Sequence, residues 1–135
     1  MPARGEVDVR GLASLPHITP YWPRVAGSRL IFATCPAASL TAGTWDIPEP
    51  PIDADDGAVA TFDVLVVPGL GFDCLGGRLG QGGGFYDRLL ATCRPRLVVA
   101  VAFEDQIMEH IPTTSSDQRV DHIVTPDRVI DCLSV

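Results

Sequence analysis

Six glycines, one arginine and one aspartate fall within twelve consecutive residues, in the segment GGRLGQGGGFYD (76–87). Because glycine has no Cβ, the backbone N–H groups of such a segment can converge on a phosphate. The guanidinium of Arg78 adds a mobile positive charge that can pair bidentately with phosphate oxygens. Asp87 can hold a divalent cation that bridges the same phosphate. The segment therefore predicts a phosphate-binding site.

Two apolar runs frame this glycine segment and predict how it is held. Residues 62–67 predict a strand before it, and FYDRLLATC (85–93) predicts a short helix after it, with Phe85, Leu89 and Leu90 on one face. Residues 97–103 predict a second strand, which completes a βαβ unit with parallel strands and a right-handed crossover. Ligands of such sheets bind at the carboxyl ends of the strands, where this loop lies, and the positive end of the helix points to the same place. A flexible glycine linker is the alternative interpretation, but the strand and the helix predicted on either side of the segment disfavour it.

The rest of the chain predicts one α/β domain over residues 1–135. Residues 17–22 and 28–34 predict a hairpin, the proline-rich stretch 35–60 an extended excursion, 104–112 a short helix and 120–125 a third strand. The expected architecture is a mainly parallel sheet of βαβ units flanked by helices, with the glycine loop at a strand carboxyl end.

Two residues outside the glycine segment are further candidates for the site. Asp117 lies in a polar loop just before the third strand and reaches the same face as Asp87 if the strands are parallel. The two carboxylates then form a pair suited to Mg²⁺, whereas the alternative is that Asp117 caps a turn or is solvated. Trp45, between Gly43 and Pro48, either plugs the edge of the core or forms one wall of a ring-binding pocket.

Composition excludes several classes of function. The net charge of −7 disfavours nucleic acid and anionic membranes as partners. All ten basic residues are arginine, and the absence of lysine excludes a Walker A loop and Schiff-base catalysis. The four cysteines form no CxxC pair, so neither a zinc knuckle nor a redox motif is predicted. With no apolar run of about 18 residues and no signal peptide, a cytoplasmic protein is expected.

Four motifs follow one another in the order found in the 5-formyltetrahydrofolate cyclo-ligase family, also called methenyltetrahydrofolate synthetases. They are PGLGFD (68–73), GGRLGQGGGFYDRLL (76–90), VAFEDQI (101–107) and SDQRVDHIVT (116–125). The GTWDIPEP segment upstream is also similar to that family, and the resemblance runs from about residue 20 to residue 130. The RLGxGGGxYD core is its most specific part.

The resemblance implies a ligase of folate and one-carbon metabolism that uses ATP and Mg²⁺ to convert 5-formyltetrahydrofolate to 5,10-methenyltetrahydrofolate. It implies that Arg78 and Tyr86 act in catalysis, that Asp87 and Asp117 hold Mg²⁺, and that Trp45 and Phe85 pack against the folate rings. The ATP-binding residues that it implies are Arg78, Gly80, Gln81, Gly82, Gly83, Gly84, Phe85, Tyr86 and Asp87.

The chain departs from the family pattern on its N-terminal side. Members of the family begin with a helical region that carries a lysine contacting ATP and, further on, a glutamate contacting folate, and this chain is expected to begin after both. The departure predicts reduced activity and an exposed sheet face that self-association or a partner chain would cover. A catalytically silent nucleotide- or anion-binding module with a regulatory role is the alternative hypothesis. An unrelated phosphosugar enzyme is disfavoured, because no Lys, Cys or His is placed for its proton transfers.

Overall fold

The computed structural model describes residues 7–43, 48–80 and 82–133. Within these ranges, the chain forms eleven strands, one α-helix and four single 3₁₀ turns. The strands are β1 (Tyr21–Ala26), β2 (Arg29–Thr34), β3 (Thr41–Ala42), β4 (Pro48–Glu49), β5 (Asp55–Gly57), β6 (Leu65–Val67), β7 (Gly71–Phe72), β8 (Arg78–Leu79), β9 (Val98–Val101), β10 (His122–Val124) and β11 (Val129–Asp131). The helix α1 spans Phe85–Thr92, and the 3₁₀ turns are Arg10–Ser14, Ala37–Ser39, Val59–Thr61 and Glu104–Gln106.

A four-stranded sheet in the order β11-β10-β9-β6 forms the centre of the fold. β6, β9 and β10 are parallel, and β11 pairs antiparallel with β10 at one edge. Both β6 and β9 come from short runs of valine, leucine and alanine, which pack well on a pleated surface. Val98 and Ala100 are fully buried in the core that this sheet shares with α1 and β2.

A second sheet, β1-β2-β5, is antiparallel throughout. Its β1–β2 hairpin turns at Gly27, whose φ of 64° suits glycine. The expectation of a mainly parallel sheet flanked by helices was therefore too narrow. The stretch 35–60 was predicted as an excursion, but it supplies β5, which adds to β2, and the described residues contain one α-helix.

Two predicted boundaries were wrong for local reasons. The first turn was expected over residues 23–27, but Pro23 lies inside β1, where an edge strand tolerates a residue without an N–H. The helix expected over 104–112 is only the turn Glu104–Gln106. Beyond it, Met108 N–H donates to the Phe72 carbonyl (2.7 Å), so the backbone leaves the helical path to pair with β7.

The buried face of α1 differs from the predicted one. Leu90 is buried, and Tyr86, Leu89 and Cys93 pack against the core, which is an i, i+3, i+4, i+7 stripe. Phe85 lies off this stripe, beside Arg88. None of the helices in the described ranges has the length and apolar character needed to cross a membrane.

Candidate functional site

The glycine-rich segment is divided into two parts by β8. Gly76 and Gly77 lie in the turn between β7 and β8, and only Gly80, Gly82, Gly83 and Gly84 lie between β8 and α1. The sequence predicted one continuous loop, and this was wrong because a short antiparallel pair, Gly71↔Leu79 and Phe72↔Arg78, closes the first part into a hairpin.

The β7–β8 turn is held by Asp73, whose side chain is buried. Its Oδ1 accepts the N–H groups of Leu75 (3.1 Å) and Gly77 (2.9 Å), and its Oδ2 accepts Ile111 N–H (2.8 Å). Burial alone would raise the pKa of Asp73, but these three bonds and the charge of Arg119 outweigh it and hold the pKa below its usual value. Sequence reasoning missed this role, although an aspartate that begins a turn containing glycine, as in DCLGG (73–77), is typical of an Asx turn.

In the second part, Gly80, Gly83 and Gly84 lie close to side chains of neighbouring residues. A Cβ on Gly80 would lie 3.2 Å from Arg78 Nη1, and one on Gly83 would lie 2.8 Å from the Phe85 ring. Gly84 is the N-cap of α1 with φ 69°, and its Cβ would lie 2.8 Å from an Arg88 nitrogen. These glycines therefore give space for neighbouring groups as well as for backbone turns.

Arg78 is fixed, which corrects the expectation of a mobile charge. Its side chain is 8% exposed, and Nη1 donates to the Pro68 carbonyl (2.8 Å). Nη2 lies 4.0 Å from Asp87 Oδ2, and the guanidinium is 5.5 Å from the centroid of the Tyr86 ring. Because its side chain is already held in place, Arg78 would lose little side-chain entropy on binding an anion.

The two candidate metal ligands approach one another through Gln118. Asp87 Oδ1 accepts Gln118 N–H (3.0 Å), which brings the loop carrying Asp117 to the first turn of α1. Asp117 Oδ2 accepts Thr114 N–H (2.8 Å), so Asp117 also closes a turn, as the alternative interpretation expected. Among the described residues, no group of three or more histidine, cysteine, aspartate or glutamate side chains is placed to form a metal cage.

One cavity of about 1520 Å³ collects most of the predicted site residues. Trp45 and Gln81 lie outside the described residues. The remaining predicted residues all line the cavity: Arg78, Gly80, Gly82, Gly83, Gly84, Phe85, Tyr86, Asp87 and Asp117. Apolar residues of the antiparallel sheet also line it, among them Tyr21, Trp22, Leu30 and Phe32. The cavity thus combines a polar, glycine-rich side with an apolar one, as sites for charged ring compounds do.

Arg88 was not predicted as a site residue. Its Nη1 donates to the Gly83 carbonyl and its Nη2 to the Ser28 carbonyl, both at 2.9 Å, and its guanidinium lies 5.1 Å from the centroid of the Phe85 ring. A cation one turn into a helix is disfavoured by the macrodipole, and this unused sequence signal could have marked Arg88.

Comparison with known proteins agrees with the motifs. Residues 15–126 match the model of the 5-formyltetrahydrofolate cyclo-ligase family. The chain is 36% identical over 110 residues to a 5-formyltetrahydrofolate cyclo-ligase of Escherichia coli, which covers 79% of this chain and 60% of that protein. It is 37% identical over 110 residues to the mitochondrial 5-formyltetrahydrofolate cyclo-ligase of Arabidopsis thaliana, covering 67% of this chain and 40% of that protein.

A solved structure extends the similarity to the fold. The NMR structure of Aquifex aeolicus 5,10-methenyltetrahydrofolate synthetase matches with a TM-score of 0.80 at 32% identity, over 98% of this chain and 69% of that one. The chain spans roughly half the length of the curated relatives it matches, from 40% to 60% in these two. The family model covers most of the chain, and the resemblance drawn from the motifs is confirmed. The chain belongs to the 5-formyltetrahydrofolate cyclo-ligase family.

Proposed function

We propose that this chain binds ATP with Mg²⁺ and 5-formyltetrahydrofolate and converts the folate to 5,10-methenyltetrahydrofolate. The observation that carries the proposal is the cavity of about 1520 Å³, because it brings residues of the glycine loop, Arg78 and two carboxylates around one space together with an apolar wall. The polar side suits the phosphates, and the apolar side suits the rings of the two substrates.

Asp87 and Asp117 suit a Mg²⁺ ion that is held mainly by water and nucleotide phosphates. Mg²⁺ in nucleotide sites is usually held by one or two carboxylates, water and the phosphates themselves, and not by a full protein cage. Asp87 and Asp117 both line the cavity, and for each of them only one oxygen takes part in a hydrogen bond within the described part of the chain. We assign them as the ligands, and the ion would neutralise charge on the phosphates during transfer.

The protein's part in the proposed reaction is mainly positioning and charge neutralisation. The formyl oxygen is a poor leaving group, so the reaction requires its phosphorylation by ATP, attack of N10 on the activated carbon and departure of phosphate. Arg78, with its side chain almost fully buried beside Tyr86, presents a desolvated positive charge, which stabilises transferring phosphoryl oxygens more strongly than a solvated one. Phe85 and the apolar wall pack against the folate rings, and Tyr86 lines the reacting centre.

The proposal is tested by mixing the purified chain with 5-formyltetrahydrofolate, ATP and Mg²⁺ and following the methenyl chromophore, with ATP binding measured separately by calorimetry. We expect product formation and a loss of about 10²- to 10³-fold in rate for Arg78→Gln, since one preorganised charge is removed. Arg94→Gln is the matched control, because Arg94 also bonds to a carbonyl and an aspartate but lies outside the cavity lining. Its rate should equal that of the unaltered chain.

The same experiment separates the proposed enzyme from a silent binding module. The resemblance to the family implies a lysine in the nucleotide site, and the given sequence contains none, so a slow rate is expected. ATP binding without any methenyl product would refute the enzyme and favour the module. Absence of ATP binding would refute the enzyme and a nucleotide-binding module alike.

A further inference from the structure

The guanidinium of Arg88 contacts three separate parts of the structure around the site. It lies on α1, yet its guanidinium donates to Gly83 in the loop and to Ser28 in the β1–β2 turn, and stacks on Phe85. Gly83, Gly84 and Phe85 line the cavity, whereas neither Arg88 nor Ser28 does. The guanidinium therefore contacts the loop without lining the cavity itself.

Peptide geometry gives this contact a consequence for anion binding. The C=O and N–H of a trans peptide point in opposite directions, so the hydrogen bond that holds the Gly83 carbonyl on Arg88 turns the Gly84 N–H to the other side of the loop. Gly84 is left-handed and is followed by helical Phe85, a pairing that directs successive N–H groups to one side. A free Gly83 peptide could rotate and present its carbonyl, which repels phosphate, to the cavity.

We propose that Arg88 is a positioning residue of the phosphate site. It holds the Gly83 carbonyl out of the cavity and ties the loop to the β1–β2 turn, so that the Gly84 N–H is presented to a phosphate. The inference rests on the proposed function only for the identity of the anion as a nucleotide. The contact between Arg88 and the Gly83 carbonyl would orient the Gly84 N–H toward any phosphate. The planar guanidinium of Arg88 donates to two carbonyls that lie 55 residues apart in sequence, and a lysine ammonium would bond both of them less well.

The test uses sodium tripolyphosphate and Mg·ATP as probes, with ¹⁵N–¹H spectra of the labelled full chain. In the unaltered chain, the Gly84 amide resonance should move as tripolyphosphate is added. Arg88→Gln should raise the dissociation constants for tripolyphosphate and Mg·ATP about tenfold and reduce this movement, since a charge-assisted bond that orients the donor is lost. Arg88→Lys should give an intermediate constant, because one ammonium can hold one of the two carbonyls.

Controls separate positioning from a general loss of stability. Arg94→Gln removes a comparable bond to a backbone carbonyl and should lower the melting temperature without changing tripolyphosphate affinity. In the methenyl assay, Arg88→Lys should raise KM for ATP more than KM for the folate. Tripolyphosphate affinity equal to that of the unaltered chain in both Arg88 variants would overturn the inference.

The outcomes also distinguish the two proposals. If the unaltered chain binds neither tripolyphosphate nor ATP, both fail. If it binds them and the Arg88 variants bind them equally well, only the role of Arg88 fails. If affinity falls in the Arg88 variants while no methenyl product forms in any sample, the role of Arg88 stands and the enzyme proposal fails.

Discussion

At the scale of single residues, the glycine loop is shaped by the side chains packed against it. Gly80 lies against Arg78, Gly83 against Phe85, and Gly84 against Arg88. The sequence predicted a phosphate site from the glycines and the arginine of this segment, and phosphate binding there stays a prediction. It could not predict that Arg78 is fixed, because that depends on the Pro68 carbonyl, ten residues away.

Replacement of Asp73 by Asn should destabilise the fold by about 2–3 kcal/mol, since a buried carboxylate accepting three backbone N–H groups becomes an amide that accepts fewer of them. Urea unfolding at pH 7 measures the change. Asp8→Asn is the matched control. Hydrogen bonds from Arg10 lower the pKa of Asp8 to about 2, but the pair is exposed, so no measurable loss is expected.

The Asp73 variant also makes a prediction about pH. The folded pKa of Asp73 is lower than the unfolded value of about 3.9, so its contribution to stability is complete above that value and is lost as pH falls through the folded pKa. The difference in unfolding free energy between the unaltered chain and Asp73→Asn should therefore be constant above about pH 5 and shrink below about pH 4. A difference that stays constant down to pH 2 would show that the charge of Asp73 is unimportant.

At the scale of elements, the sequence predicted two strands and one helix whose apolar residues lie within a single short segment. The run 62–67 contains β6, the run 97–103 contains β9, and α1 begins at Phe85 as expected. The β7–β8 hairpin was not predicted, because its strands have two residues each and depend on the buried carboxylate of Asp73. The helix expected over 104–112 failed for a similar reason, since the Met108 N–H donates to the Phe72 carbonyl of β7 and not along a helix.

The β7–β8 hairpin gives a prediction at this scale. Gly76 has φ 91°, and a Cβ there would lie 2.5 Å from the Val120 carbonyl oxygen, while the Gly76 carbonyl accepts Val120 N–H (3.0 Å). Gly76→Ala should therefore cost about 3 kcal/mol, from left-handed strain and from separation of the hairpin from the segment before β10. Gly11→Ala is the control, because a Cβ at Gly11 would have no atom within 4 Å of it. Its unfolding free energy should change little. Equal urea midpoints for the two variants would contradict the assignment.

At the scale of the whole molecule, the cavity forms where the two larger sheets and α1 meet. Its lining comes from the β1–β2–β5 sheet, from β6 and β8, and from the start of α1. No local pattern predicts this convergence, because it depends on the packing of α1 against β2, about 55 residues apart in sequence. Asp87 and Asp117 were paired by the argument that parallel strands end at one edge, and both line the cavity, while their binding of Mg²⁺ stays a prediction.

The charge of the cavity gives the last prediction. Two arginines, Arg10 and Arg78, line it among the described residues, against five aspartates. These aspartates are Asp8, Asp56, Asp63, Asp87 and Asp117. An excess of carboxylates repels free ATP, so binding should require a divalent cation between the phosphates and the protein.

Melting curves test this requirement. At a hundred times its dissociation constant, Mg·ATP should stabilise the chain by about 2.7 kcal/mol and raise the melting temperature by about 9 °C, while ATP with EDTA at the same concentration should raise it far less. Asp87→Asn should reduce the Mg·ATP shift, because it removes a proposed ligand. Asp56→Asn removes a lining carboxylate outside the proposed pair and should keep the full shift. An equal shift with and without the metal would mean that Arg78 and the loop N–H groups alone overcome the repulsion, and that the two carboxylates do not serve as metal ligands.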